Sequence, residues 1–444
     1  MFSCFLSGFF MDLLRDNLRT LYRNYLFASC GGALILSVYG LADMAMIGQY
    51  HGPVGSAAMA VISPMWNILY CFGLLAGIGG SVLYAVAKGE KRDREANGYF
   101  TAAVLLGIVI SMLLWILVFL WEDPMLRLFG ADDELLPLCR EYLFAPKLTV
   151  PVYVFANILS AFLRNDSSPG LSTVAVVAGG VINVVGDYFL IFTLDMGIRG
   201  AGIATAVGAL VTDLIMVLHF FKKKNTLRFV LPENLPKAAA RISVHGFSPF
   251  LSDAALGVMT VLFNRQIMRY LDVDALAVYG VIVTVGTFVQ CCAYGVGQAA
   301  QPILSQNYGA GQVDRIRTLR RYTVLTSLLL GVAWTALCAA VPNTLIRLFM
   351  APSASVLRIA PAAVRLYALS FLLLPFNIYS TYHFQAILRT KTSLLVSGAR
   401  GIVVSGMLVL LLPAVFGGES IWLVMPLTEL LVAVYAALQM RMKK

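Results

Sequence analysis

Five acidic residues lie inside long apolar segments of this 444-residue sequence: Asp43, Asp187, Asp213, Asp253 and Glu429. A charge in the middle of a membrane-spanning helix costs roughly 2.5–3.5 kcal/mol on insertion scales, so such a residue normally faces a cavity or a partner. A carboxylate without a basic partner in a poorly solvated position favours a bound proton or a bound cation. The acidic residues therefore indicate a site for a proton or a cation.

Asn183 and Asp187 are four residues apart, which places both on one face of a helix. The amide supplies a neutral oxygen and the carboxylate a charged one, and Thr205 on the next apolar segment would add a hydroxyl. This set suits Na⁺ or a network of protonated carboxyl groups. The same residues also fit an ordinary polar contact between membrane helices, which Asn and Thr often make.

Tyr39, Asp43 and Met46 form a stripe on the first apolar segment. An aromatic ring, a carboxylate and a thioether together would offer a lipophilic organic cation a ring face, a charge and apolar contact area. The alternative is ordinary packing around an aromatic side chain.

A second polar stripe lies in the other half of the chain. Asp253 and Asn264 are eleven residues apart, as are Gln290 and Gln301, and eleven residues return to almost the same angle on a helix. With Gln298 nearby, these side chains can line one surface. Hydrogen bonding between helices explains the stripe equally well.

The elements that must position these residues are membrane helices. Hydrophobic residues make up 59% of the chain and charged residues only 13%, with a mean hydropathy of +0.81, whereas soluble domains carry roughly 25% charged residues. Apolar runs such as 101–120 and 323–341 are far longer than barrel strands need. We predict an all-α membrane protein with twelve spans, the fourth near residues 135–163.

The basic residues follow an alternating pattern along the chain. Loops such as 88–94 and 222–228 are basic, and we assign Arg400 to another basic loop, whereas the intervening loops carry acidic residues such as Asp132 and Asp133. By the positive-inside rule both termini are cytoplasmic. The net charge of +10 thus reflects topology and does not indicate nucleic-acid binding.

Other chemistry is poorly supported by the sequence. The seven Cys residues are scattered and form no CxxC pair, and the four His residues form no cluster. Residues 1–10 are apolar but lack the basic leader of a signal peptide. We interpret them as an interfacial extension, or as the product of an early start codon, with Met11 as the true start.

The two halves of the sequence repeat at an offset of about 220 residues. Residues 127–129 (RLF) recur as 347–349, Gly89 corresponds to Gly309, and Asn157 corresponds to Asn377. Six spans separate the copies, so the halves have parallel orientation, as in transporters built from two repeated bundles. We predict an N-terminal lobe at 1–221, a cytoplasmic linker at 222–239 and a C-terminal lobe at 240–444.

These residues resemble the multidrug and toxic compound extrusion (MATE) transporters. Three regions carry the resemblance over nearly the whole chain: 41–68, which includes LADMAMIGQY; 182–205, with INVVGDYFLIF and GIRGAGIAT; and 263–311, which ends in VGQAAQPILSQNYGAG. The resemblance implies export of amphipathic, often cationic compounds by antiport with Na⁺ or H⁺.

The resemblance also implies site residues. The matching positions for cation binding are Asp43, Asn183, Asp187 and Thr205. Asn264 occupies the position of Asp43 in the second half, so the lobes are chemically unequal. The candidate substrate-binding residues are Tyr39, Met46, Asn157, Asp253, Asn264, Gln290, Gln298, Gln301 and Glu429.

One departure concerns the first helix, where many members have a proline that permits bending, whereas residues 27–32 here read FASCGG. We expect a transporter in the cytoplasmic membrane of a prokaryote, not an enzyme. We expect no cofactor besides the coupling ion, no metal other than Na⁺ at that site, and no obligatory protein partner. The alternative is a lipid-linked oligosaccharide flippase, a class that usually carries basic residues in its cleft.

Overall fold

The structure is a computed structural model that describes residues 12–223, 225–350 and 352–441, and every regular element in them is helical. Twelve helical segments are long and apolar enough to cross a membrane, which confirms the predicted span count and fold class. The predictions about residues 1–10, Met11 and Lys224 lie outside the described residues. In chain order the twelve spans are Leu18–Gly52, Val54–Gly89, Asp93–Leu120, Pro146–Asn165, Pro169–Thr193, Gly197–Phe221, Leu235–Tyr270, Val273–Gly309, Val313–Ala340, Ala354–Ala386, Thr390–Phe416 and Gly418–Arg441.

The first span begins after Asn17, whose side chain accepts hydrogen bonds from the backbone N–H groups of Arg19 and Thr20. It continues through residues 27–32 in helical conformation. The chain leaves helical geometry only at Gly52, where φ is 65° and ψ is −151°, before the second span begins. Glycine adopts this left-handed φ without the steric cost that a Cβ would add, so Gly52 separates two long helices that follow one another directly.

Short helices outside the spans repeat in the two halves. Glu122–Leu128 follows the third span and Pro342–Phe349 follows the ninth, and they contain or adjoin the repeated RLF residues. The prediction of one span over 135–163 was wrong. Leu135–Leu143 is a separate helix, and the fourth span begins at Pro146, since proline suits the first turn of a helix and not its interior.

Glycines bring the second span very close to two later spans. A Cβ added to Gly89 would lie 2.1 Å from the carbonyl oxygen of Gln306, and one added to its repeat partner Gly309 would lie 2.1 Å from that of Val86. A Cβ on Gly246 of the seventh span would lie 1.9 Å from the carbonyl oxygen of Leu75. Small residues allow membrane helices this close an approach, so larger side chains would push these helices apart.

The chain divides into two compact units. Unit 1 comprises the chain through Phe250 together with Ser305–Gly311, and unit 2 comprises Leu251–Leu304 together with the chain from Gln312 onward. The boundary lies inside the seventh span, whose first part is packed on the second span through Gly246. The lobe and linker boundaries taken from the sequence repeat stay a prediction.

Candidate functional site

Unit 1 holds a buried acidic cluster contributed by the first, fifth and sixth spans. The exposed fractions of Asp43, Asn183 and Asp187 are 5%, 3% and 0%. Nδ2 of Asn183 donates to Oγ1 of Thr205 at 3.2 Å and lies 3.5 Å from Oδ1 of Asp187. Three of the four predicted cation-binding residues are therefore in direct contact.

Tyr142 joins Asp43 to this group, and the sequence did not identify it. The hydroxyl of Tyr142 donates to Oδ2 of Asp43 at 3.2 Å and lies 3.3 Å from Oγ1 of Thr205. Its helix, Leu135–Leu143, packs against the sixth span, where a Cβ on Gly202 would lie 2.0 Å from the carbonyl oxygen of Tyr142. In the sequence, Gly202 indicates that another helix packs closely on the sixth span near Thr205. A glycine does not reveal which residue of that other helix makes the contact.

Three oxygens of the cluster have no hydrogen-bond partner among the described residues: Oδ1 of Asp43, Oδ1 of Asn183 and Oδ2 of Asp187. Among the same residues, no Lys, Arg or His forms a salt bridge with either carboxylate. Buried polar atoms are normally paired, and each unpaired one calls for an explanation. Two charged oxygens and one amide oxygen are suitable ligands for a small monovalent cation, or suitable acceptors for protons.

The described part of the chain contains no group of three His, Cys, Asp or Glu residues placed to hold a metal ion. The cluster offers only two carboxylates, and its other donors are neutral. This donor set supplies too little charge for a dedicated divalent or transition-metal centre, which normally has three or more ligands of these types.

The other predicted residues of unit 1 lie outside the cluster. Tyr39 packs on Gly180 of the fifth span, with a ring carbon 2.9 Å from the position of a Cβ there, and it borders an apolar pocket. Nδ2 of Asn157 donates to the carbonyl oxygen of Tyr153 in its own helix at 3.3 Å. Met46 is half-buried.

In unit 2, Tyr294 connects two of the predicted residues. Nε2 of Gln290 donates to the hydroxyl of Tyr294 at 2.7 Å, and that hydroxyl donates to Oδ1 of Asp253 at 2.9 Å. Asp253 is 7% exposed. Of the other predicted residues of this stripe, Asn264 and Gln298 are half-buried, and Gln301 is buried.

Glu429 is fully buried and has a basic partner that the sequence analysis placed elsewhere. Nε of Arg400 lies 2.7 Å from Oε1 of Glu429, and Nδ2 of Asn377 donates to Oε2 at 2.6 Å. The assignment of Arg400 to a loop was wrong, because it lies inside the eleventh span in the π-helical turn Ala399–Val403 and is 8% exposed. Its partner is 29 residues away in the chain, and sequence spacing does not reveal that pairing.

Comparison with known proteins gives one family and a consistent fold. The sequence model of the MatE family matches residues 28–189 and 250–410. Among curated proteins, the multidrug export protein MepA of Staphylococcus saprophyticus is 23% identical over 297 residues, which cover 66% of this chain and 65% of that protein. MepA of Staphylococcus haemolyticus is 22% identical over 320 residues, which cover 72% of this chain and 70% of that protein. The alignments thus span about two thirds of each relative.

Solved structures share the fold over almost the entire length. An outward-facing multidrug resistance MATE family transporter of the MOP superfamily superposes with a TM-score of 0.89 at 21% identity, covering 97% of this chain and 96% of the other. A MOP superfamily transporter from Pyrococcus furiosus, described as having a binding pocket of reverse polarity, gives 0.89 at 20% identity with the same coverage.

Proposed function

We propose that this chain, which belongs to the MatE family, exports small amphipathic, often cationic organic compounds in exchange for Na⁺ or H⁺. The relatives named as multidrug export proteins support the export of drugs. The observation that carries the proposal is the buried cluster of unit 1, in which Asp43 and Asp187 keep carboxylate oxygens without a partner among the described residues.

The proposed coupling follows from the charge of that cluster. A proton or Na⁺ bound by Asp43 and Asp187 neutralises charge that is otherwise costly to bury. If the organic compound binds more tightly while the carboxylates are ionised, the coupling ion and the compound exclude each other. Such linkage is reciprocal, so an inward ion gradient drives export of the compound.

The remaining assignments belong to the same proposal. Asp253 and Gln290 would contribute to binding the compound in unit 2 through the Tyr294 relay. The chain would sit in the cytoplasmic membrane of a prokaryote with both termini inside, as the basic loops predict, and its activity would confer drug resistance. The same loops leave the acidic segments on the outer face.

One observation favours the alternative, a lipid-linked oligosaccharide flippase, because Arg400 places a basic side chain inside a span. Glu429 already balances that charge, whereas the free carboxylates of unit 1 have no evident use in moving a lipid-linked sugar. Movement of a labelled lipid-linked sugar, measured beside efflux of a cationic dye in the same vesicles, separates the two functions.

The test is efflux of a fluorescent lipophilic cation from proteoliposomes, with the Na⁺ and proton gradients imposed separately. We expect one gradient to drive export by the wild type and Asp43→Asn to lower that export at least about fivefold, the lower end of typical coupling. Asp213→Asn is the matched control, since Oδ1 of Asp213 is also buried without a partner among the described residues but lies outside the cluster.

The result that contradicts the proposal is equally specific. Export by Asp43→Asn at the wild-type rate under both gradients removes Asp43 from the mechanism. An equal loss in Asp213→Asn shows that any buried acid matters and that the cluster has no special role.

A further inference from the structure

Two hydrogen bonds join the end of the first span to the start of the sixth. The backbone N–H of Ile198 donates to Nε2 of His51 at 3.1 Å. The hydroxyl of Tyr50 donates to Oδ1 of Asp195, in the connection that precedes the sixth span. Tyr50 and His51 come directly before Gly52, where the first span ends. All of these residues belong to unit 1, and the proposed exchange mechanism gives none of them a role.

A glycine at the start of the sixth span permits this contact. Gly197 has a φ of 55°, in the left-handed region that favours glycine. A Cβ added there would lie 2.8 Å from Nε2 of His51 and 3.0 Å from a ring carbon of Tyr50. The imidazole therefore lies directly against the first turn of the sixth helix, and a larger residue at position 197 would separate them.

The bond to Ile198 requires one protonation state of the imidazole. A backbone N–H can only donate, so Nε2 of His51 accepts with its lone pair and carries no proton. The N–H groups in the first turn of a helix have no partner within the helix, and the capping residue of the sixth helix supplies no side-chain bond. His51 thus caps a helix to which it does not belong. A proton on Nε2 removes this acceptor and places a positive charge at the positive end of the helix dipole.

The ionisable groups around His51 are Tyr50 and Asp195. The ring centre of Tyr50 lies 4.8 Å from that of the imidazole, and Asp195 accepts from Tyr50. The start of the second span, residues 54–60, contains no ionisable side chain. Neighbouring elements direct their charges elsewhere: Arg199 to the ring of Phe144, Arg140 to Asp123, and Glu141 to solvent. Asp195 is therefore the carboxylate that a protonated imidazole would meet once it leaves Ile198.

This contact lies at the outer end of helices that carry the acidic cluster. Three arginines between residues 15 and 23 lie at the start of the first span, so the positive-inside rule puts its other end, with His51, on the outer face. Asp43 precedes His51 by eight residues, which is about 12 Å along a helix. Thr205 follows Ile198 by seven residues. The bond therefore joins, on the outer side, two of the spans whose side chains form the cluster.

We propose that His51 and Ile198 form a latch that responds to external pH, closed while the imidazole is neutral and released when it is protonated. The latch is closed above the range in which imidazoles titrate, about pH 5 to 8, and opens as the external pH falls through that range. Release lets the outer ends of the first and sixth spans separate and gives an external ion easier access to the cluster. This gating role rests on the proposed ion exchange, whereas the latch itself does not.

The test is hydrogen–deuterium exchange of the Ile198 amide, measured by mass spectrometry on the full-length protein in lipid nanodiscs at about pH 8 and about pH 5, the two ends of that range. Variants at residue 51 leave the peptide around Ile198 unchanged, so its intrinsic exchange rate at each pH is the same. His51→Gln keeps an acceptor but binds no proton, and it should protect the amide at both pH values. Wild type should match it at pH 8 and exchange about two- to tenfold faster at pH 5, as His51→Phe does throughout.

His219→Gln is the matched control for histidine protonation elsewhere in unit 1. His219 lies at the opposite end of the sixth span, where its Nε2 is 2.7 Å from Oδ2 of Asp166, and its replacement should leave the acid effect at Ile198 intact. Wild-type protein that protects Ile198 as well as His51→Gln does at both pH values overturns the proposal. Loss of the acid effect in His219→Gln assigns it to another group and also overturns it. If His51→Phe fails to fold, the comparison of wild type with His51→Gln decides alone.

Efflux of the fluorescent cation tests the gating role separately. Wild type and His51→Gln are compared at the same external pH, so both meet the same ion gradient. We expect equal export at about pH 8 and export at least about twofold faster by wild type at about pH 5. Equal export at both pH values, with acid-dependent exchange at Ile198, removes the gating role and leaves the latch. Acid-dependent exchange without gradient-driven export by any variant contradicts the proposed function and not the latch.

Discussion

Each unit buries acidic side chains, and their negative charge is compensated differently in the two units. In unit 1, Asp43 and Asp187 receive neutral hydrogen-bond donors and keep oxygens without a partner in the described residues. In unit 2, the guanidinium of Arg400 and the amide of Asn377 donate hydrogen bonds to the carboxylate of Glu429. In the proposed exchange mechanism, the cluster of unit 1 takes its positive charge from the coupling ion, whereas Glu429 in unit 2 already has Arg400 as its cation.

The repeat makes this comparison sharper. Asn157 and Asn377 occupy equivalent positions, yet Asn157 bonds to the carbonyl oxygen of Tyr153 in its own helix and Asn377 bonds to Glu429 in the twelfth span. Asparagines matched by the sequence repeat therefore have different partners in the two halves. Four predictions test this difference, beginning with the largest expected effect.

Removing the internal cation of unit 2 should be strongly destabilising. Arg400→Gln leaves Glu429 charged, fully buried and without a basic partner, which should lower the free energy of unfolding by roughly 3–5 kcal/mol. The double variant Arg400→Gln with Glu429→Gln should lose much less, because no charge stays buried. Denaturant unfolding of the purified protein in detergent measures both; a single variant as stable as the double contradicts the assignment of the pair.

The matching change in unit 1 should affect function and not stability. Asp187→Asn removes a charge that lacks a basic partner, so the free energy of unfolding should fall by no more than about 1 kcal/mol, or rise. Gradient-driven export should drop at least about fivefold. Unfolding and proteoliposome export are measured on the same preparation, and a loss of stability like that of Arg400→Gln would remove the contrast between the units.

The repeated asparagines should differ in the same direction. Asn377→Leu leaves Oε2 of Glu429 without its donor and should cost about 1–3 kcal/mol of unfolding free energy. Asn157→Leu removes a bond within one helix and should cost less than about 1 kcal/mol. Thermal unfolding of the two variants side by side provides the check. Equal losses would show that the two positions have kept the same role.

The smallest effect is expected at the residue that the sequence did not reveal. Tyr142→Phe frees a second oxygen of Asp43 for the coupling ion, at the loss of a hydrogen bond worth about 0.5–1.5 kcal/mol. The ion concentration for half-maximal export should fall by about two- to tenfold. Efflux measured over a series of ion concentrations gives this value, and a rise in place of a fall would show that Tyr142 supports ion binding.

Helical periodicity placed neighbouring side chains on a common face. Asn183 and Asp187 face the same side because they are one helical turn apart, and Asn183 donates to Thr205 on the next span. Gln290 and Asp253 are joined, but only through Tyr294, which lies one helical turn from Gln290 and 41 residues from Asp253 in the chain. The eleven-residue spacing located the two helices that meet at Tyr294, but it did not show which side chains bond to each other. Asn264 and Gln298 are not in the hydrogen-bonded group of Gln290, Tyr294 and Asp253.

The sequence by itself determined the twelve helices and the repeat, because hydrophobic length and period are properties of contiguous residues. It also located the acids, because charge within an apolar run is visible without a structure. Only the tertiary structure decided which acids have a cation beside them. Glu429 meets Arg400 and Asp43 meets Tyr142 through packing of distant spans, and the energy of a buried charge depends on the neighbours that this packing supplies.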